Sequence, residues 1–210
     1  MKTPEHPIFL KSVEYIRSKI GFTGLNSVQQ SVLERIIHSS GDLNMQSYLR
    51  FSTNACEEAI NALKKGANIL TDTYMAKAAV SPVSQRTLNS NVKCILEMAP
   101  DFIDSSSQTR SAIGMHKTWL DIEKKEEFFL GPVVVIGSAP SALMALLDLI
   151  KEGTKKPSLI IGMPVGFIGV PECKSRLLNS DCSYIVLEGS KGGASVAAAS
   201  VNALLRAADY

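Results

Sequence analysis

The chain has 210 residues, 45% of them hydrophobic, enough for one large domain with a substantial core. Its formal charge is +2, from 22 basic and 20 acidic side chains, and no cluster of Lys and Arg with interleaved aromatics occurs, so there is no sign of a nucleic-acid surface. The opening MKTPEHPIFLKSVEYIRSK is broken by charges too often for a signal peptide, and the uncharged stretch 131–147 is interrupted by Gly137-Ser138-Ala139-Pro140, so no membrane span is expected.

In chain order, residues 9–20 and 27–39 have helical patterning. A third helix over 54–65 stops at Gly66, just before a first strand over 67–71. A second strand is expected over 92–96 and a third over Val133–Ile136, followed by a helix over 141–151. A fourth strand over 159–161, a helix over 171–178, a fifth strand over Tyr184–Leu187 and a helix over 194–207 complete the chain. The third and fourth strands are apolar on both faces, as central parallel strands covered by helices must be. This alternation predicts a three-layer α/β/α sandwich on a five-stranded, doubly wound parallel sheet, with the flavodoxin-like order 2-1-3-4-5 as first choice. Residues 1–65 form its helical N-terminal part and 66–210 its α/β part, in one domain. Cys56, Cys94, Cys173 and Cys182 have neither CxxC spacing nor a histidine nearby. They are expected as reduced thiols of a cytoplasmic protein, with no metal site.

In open parallel sheets ligands sit beyond the carboxyl ends of the strands. The loops expected there are 71–73, 137–141, 162–169 and 188–193, and three of them are rich in Gly, Ser or Pro and lead into helices. Backbone amides in such loops suit a phosphate or a carboxylate, or the glycines simply make tight turns. Neither G-x-G-x-x-G nor G-x-x-x-x-G-K-[ST] is present, so a dinucleotide or a nucleoside triphosphate is not indicated. The loop Gly-Met-Pro-Val-Gly-Phe-Ile-Gly after the fourth strand carries no charge. Such a loop is either covered by protein or lies against a flat, apolar ligand.

In SVQQSVLERIIHSSGD, Val28, Val32 and Ile36 mark a buried stripe, and Arg35 and His38 share a more polar face with Ser31 and Glu34. Gly41 is a helix stop, which puts His38 in the last turn, where the helix dipole favours imidazolium. The pattern leaves two readings open: a proton donor, or a histidine that caps carbonyls and pairs with Glu34. His6 is placed in a frayed terminus, His116 in solvent and Trp119 in the core. Arg110 is either an anion clamp or an exposed arginine. The residues by themselves lead to an α/β domain binding a large, partly apolar, anionic ligand, with a possible histidine acid beside it.

GMPVGFIGVPECK resembles the GMPVGFVG-type loop and following E-S-K of the precorrin-8X methylmutase family of cobalamin (vitamin B12) biosynthesis. KSVEYIR is similar to the family's S-x-x-x-I-R helix, RIIHSSGD to its histidine-ended helix, and QTRSA to N-T-R-S-A. VVVIGSAPSAL resembles V-V-A-I-G-N-A-P-T-A-L, and KGGASVAAASVNALL resembles a K-G-G-S…A-A-A…N-A-L tail. The colinear order of these motifs is more specific than any one of them.

The resemblance implies an isomerase that moves a methyl group from C-11 to C-12 of the macrocycle, by a [1,5]-sigmatropic shift, to give hydrogenobyrinic acid or, with cobalt already inserted, cobyrinic acid. It implies a flavodoxin-like fold, no cofactor, a tetrapyrrole substrate, a homodimer and hand-over to neighbouring pathway enzymes. His38 matches the proposed catalytic acid, and Ser12 and Arg35 match substrate contacts. On that reading Met163, Pro164, Val165 and Gly166 lie against the ring, while Ser138, Gly192 and Gly193, with Arg35, Arg110 and Lys191, hold peripheral carboxylates. Ser138 stands where the family has Asn, Cys173 where it has Ser, and Glu188 and Ser190 where basic residues often precede K-G-G. Two other classes compete: a non-catalytic corrinoid carrier, which would not require His38, and a nucleotide-binding regulator, which lacks its phosphate motifs.

Overall fold

The computed structural model describes residues 5–103, 108–124 and 130–209. The chain runs through α1 (Pro7–Ile20), α2 (Ser27–Ser40), the single turn α3 (Met45–Tyr48), β1 (Leu49–Phe51), α4 (Ala55–Lys64) and β2 (Ile69–Thr71). It continues through α5 (Tyr74–Arg86), β3 (Val92–Cys94), a 3-10 turn (Ile95–Glu97), α6 (Arg110–Lys124), β4 (Val133–Ile136) and α7 (Pro140–Lys151). The last elements are β5 (Leu159–Gly162), α8 (Val170–Leu178), β6 (Tyr184–Leu187) and α9 (Ala194–Ala208).

Strand side chains alternate between two cores, as the two-residue period of a strand requires. Ile69, Val133, Val135, Leu159, Ile161, Ile185 and Leu187 enter one, with α2, α4 and α9. Leu70, Val134, Ile136, Ile160 and Val186 enter the other, with α6, α7 and α8. Each such side chain, taken fully out of water, contributes roughly 1.5–3 kcal/mol before chain entropy is set against it. Trp119 lies in the second core, with its indole N–H donating to Thr154 at 3.2 Å.

The sheet corrects the five-stranded, all-parallel expectation. It has six strands in the order β1-β6-β5-β4-β2-β3 and is mixed, because β1 pairs antiparallel with β6 through Leu49↔Leu187 and Phe51↔Ile185. The remaining pairings are parallel. The segment before residue 66, expected to be helical, thus covers the sheet edge with a strand of its own. The strand expected over 92–96 ends at Cys94, where the chain tightens into the 3-10 turn. Helix α5 has no counterpart among the expected elements, and Pro82 lies inside it.

Helix α2 follows the expected logic. Asn26 and Gln29 form a reciprocal capping box, Val32, Leu33, Ile36 and Ile37 are buried, and Gly41 ends the helix at φ 67°. His6, expected in a frayed terminus, instead caps α1, its Nδ1 accepting from the Ile8 amide at 3.2 Å. All four cysteines are buried, which pushes the thiol pKa of Cys56 up to about 12 and that of Cys173 to about 11. No helix among the described residues is long and apolar enough to cross a membrane.

Candidate active site

Helices α1 and α2 bring Ser12 and His38 together. Ser12 Oγ lies 2.9 Å from His38 Nδ1, and the Phe9 ring meets the imidazole edge-on at 5.1 Å between centroids. Arg35, one turn before His38, stacks on the same Phe9 ring with its guanidinium carbon 4.4 Å from the centroid. Phe9 and Ser12 are three residues apart on α1, as Arg35 and His38 are on α2, so both pairs share a face. With Nδ1 engaged by Ser12, Nε2 is the ring atom placed to serve a bound molecule. Phe9, Arg35 and His38, with Ala79, Ala199 and Asn202, line a depression of about 260 Å³ between α2, α5 and α9.

Glu34 does not pair with His38. It is buried and accepts from Arg17 Nε at 2.6 Å, Arg17 Nη2 at 3.1 Å and Gln30 at 2.8 Å. Of the two readings of His38, the one that tied it to Glu34 is removed.

At the carboxyl ends of β2 and β4 the structure shows a carboxylate of the chain itself. Asp72 is fully buried, and its Oδ2 accepts from the amides of Gly137, Ser138 and Ala139 at 3.0, 2.6 and 2.8 Å. Burial pushes the Asp72 carboxyl up from its ordinary value, and the three amides act against that. The expectation that the Gly137 and Ser138 amides receive a ligand carboxylate is therefore corrected: Asp72 already holds them. Asp72 lay in a loop flagged from its position, but its partners stand 65 to 67 residues away, and no local pattern connects them.

The loops after β5 and β6 interlock. Gly193 N donates to Met163 O at 2.9 Å and Gly166 N to Ser190 O at 3.0 Å. A Cβ on Gly192 would stand 2.1 Å from Met163 O, so the two backbones meet at a distance that only glycine permits. The apolar loop divides accordingly. Met163 and Pro164 are buried beneath Gly192 and Gly193, whereas Val165, Phe167 and Ile168 are exposed, the last two at 84% and 91%. Lys191 pairs with Asp42, just past the end of α2, and stands over the Tyr48 ring at 5.3 Å. That tie joins the loop cluster to the His38 region. Beneath it, the buried Lys174 donates from Nζ to Gly189 O at 2.8 Å and Lys191 O at 2.6 Å. Burial lowers its pKa to about 8. The sequence motif contained Lys174 but gave no sign of this role.

The structure thus gathers Ser12, Arg35 and His38 at one place and Met163 to Gly166 with Lys191 to Gly193 at another, joined through Asp42. Arg110 and Ser138 do not line the His38 depression. Arg110 opens α6 and donates from Nε to Pro100 O at 2.8 Å. Among the described residues no group of three His, Cys, Asp or Glu side chains is placed to hold a metal ion.

The sequence model of the precorrin-8X methylmutase family matches residues 7–207. The chain belongs to this family. It is 36% identical to the cobalt-precorrin-8 methylmutase of Synechocystis sp., over 96% of this chain and 95% of that one. It is also 36% identical to the precorrin-8X methylmutase of Pseudomonas aeruginosa, over 94% and 93%. The crystal structure of the precorrin-8X methylmutase of Thermus thermophilus superposes with a TM-score of 0.83 at 30% identity, covering 97% of this chain and 98% of that one.

Proposed function

We propose that this methylmutase family member is an isomerase of cobalamin biosynthesis, moving a methyl group from C-11 to C-12 of precorrin-8X or its cobalt form. The observation that carries the mechanism is the Ser12–His38 contact beside Arg35. An imidazole held at Nδ1 presents Nε2 in a fixed direction, as a general acid requires. In this reading His38 lends a proton to the conjugated system near ring C. The bond from the methyl group to C-11 breaks as the bond to C-12 forms, and the proton is returned, so substrate and product are isomers. Ser12 positions the imidazole and Arg35 anchors a carboxylate.

The exposed Val165, Phe167 and Ile168 suit contact with the face of a broad apolar ring, and Met163, Pro164 and Gly166 give that loop its shape. Lys191 and the Gly192-Gly193 turn, with the Ser138 hydroxyl and Arg110, are the proposed partners of peripheral carboxylates. Leaving β1 aside, the parallel strands follow the order of a flavodoxin-like sheet, and we read the chain as one such domain. A homodimer, a cytoplasmic location and hand-over to neighbouring pathway enzymes belong to the same proposal. No feature of the site favours a carrier.

The two relatives at 36% identity are named for substrates in different metal states, so the test includes both forms. The purified protein is incubated anaerobically with precorrin-8 and, separately, with its cobalt form, with absorbance followed over time. Conversion of either establishes the activity and names the form. Binding of both without spectral change would replace the isomerase by a carrier.

A further inference from the structure

A trough of about 510 Å³ runs between α1, α2 and α9, and Phe9 and Arg35 line both it and the His38 depression. Three arginines and three glutamates face the trough: Arg17, Arg35, Arg206, Glu5, Glu14 and Glu34. Five of the six stand on the helices; Glu5 precedes α1 and its His6 cap. Its Oε1 pairs with Arg35 and also lies 3.3 Å from Arg206 Nη1. One carboxylate oxygen thus bridges two guanidinium groups. Without Glu5 the trough carries one positive charge in excess.

Two orphan atoms lie along the same face of α9. Among the described residues, Arg206 Nε is buried without a hydrogen-bond partner, and so is Asn202 Oδ1, one turn earlier beside His38. The Asn202 amide cannot simply be reversed, because its Nδ2 donates to Ala79 O at 3.1 Å. Buried polar atoms left unpaired point to a missing partner.

Resting on the reading of this site as that of a tetrapyrrole isomerase, we propose that Arg206 is a second substrate-binding arginine. It closes with Arg35 on one peripheral carboxylate of the macrocycle, and Glu5 holds that place until the substrate displaces it. A ligand carboxylate in the position of Glu5 can offer its second oxygen to Arg206 Nε, which Glu5 does not satisfy. A guanidinium pair on one carboxylate is the charge-assisted arrangement in which removing one arm costs affinity.

The test titrates wild type, Glu5→Gln, Arg206→Gln and Arg206→Lys with hydrogenobyrinic acid and with its fully methylated ester, read by absorbance, alongside turnover of precorrin-8. Glu5→Gln is expected to bind the acid several-fold tighter, by removing the competitor, and to leave the ester unaffected. Arg206→Gln is expected to weaken the acid about tenfold, with the loss in KM rather than kcat. Arg206→Lys, which keeps the charge without the planar fork, should fall between. Wild-type affinity for the acid in both Glu5→Gln and Arg206→Gln overturns the clamp while leaving the isomerase intact. Should Arg206→Gln fail to fold, unchanged or weaker acid binding by Glu5→Gln overturns it. A wild type that does not move the methyl group, yet keeps the Arg206-dependent preference for acid over ester, removes the isomerase and upholds the clamp.

Discussion

Lys174 reaches from α8 to the carbonyl oxygen of Lys191, 2.6 Å away, and so a buried ammonium supports the turn that carries a half-buried one. Its lowered pKa, about 8 against 10.5, means that the folded state binds its proton less well than the unfolded chain does. The penalty for burying the charge is therefore present in full below pH 8 and is relieved as the pH rises toward 10.5. Lys174→Met should lose the two tethers at every pH. Urea melts at pH 7.5 and 10 should show the wild type gaining on the mutant at the higher pH, by on the order of 2 kcal/mol. A constant difference would mean that the amine is not titrating in that range.

The Ser12–His38 contact separates two roles that a single mutant would blur. His38→Ala is expected to lower kcat by about 10²–10⁴-fold with little change in product affinity. Ser12→Ala leaves the acid in place but unpinned and should lower kcat by roughly tenfold. If Ser12→Ala instead acted on KM alone, the serine would be a substrate contact and not a support for the imidazole.

Gly192 and Gly189 sit in one turn yet should respond to alanine for different reasons. At Gly192 the new Cβ meets the Met163 carbonyl at 2.1 Å, so the loops must part, at an expected cost of about 2–4 kcal/mol and with weaker substrate binding. At Gly189 the space is open, and only the left-handed backbone at φ 68° resists, at about 1 kcal/mol. Thermal melts of the two variants would rank them.

Phe167 and Ile168 project into solvent, so Phe167→Ser and Ile168→Ser should change stability by less than about 0.5 kcal/mol. If the loop lies against the macrocycle, both should nevertheless weaken hydrogenobyrinic acid binding. Unchanged affinity in a normally folded double mutant would send the search for the ring to another surface.

What was legible beforehand follows from how local each cause is. The stripe of α2, its Gly41 stop and the two-faced apolar strands β4 and β5 are written in neighbouring residues, and they stand where expected. Strand β1 is three residues long and exists because the edge of β6 offers it partners, a cause that lies well over 100 positions away. Helix α5 tolerates Pro82 because it is packed along α9 and β2 and capped by Thr73, neither of which periodicity reports. At the site, Ser12, Arg35 and His38 were nameable from motif and face, but not that the serine holds the imidazole. The roles of Arg206, Glu5 and Asp72 were not legible because each acquires its meaning only from a partner on a different element.

Asp72 has a wider consequence. Strands β2 and β4 are neighbours, yet the chain leaves them in opposite directions along the sheet, β2 toward β3 and β4 toward β5. The crevice above such a divide is where an open α/β sheet ordinarily admits a phosphate or another anion. In this protein the vacancy is taken from within, by a side chain that plugs the amide cradle and fastens the two diverging halves to each other. A nucleotide offered to the protein would find its customary berth already filled. The same architecture that elsewhere recruits cofactors here serves as a fastener, and the proposed recognition falls to the helix face of Ser12, Arg35 and His38 and to the loops after β5 and β6.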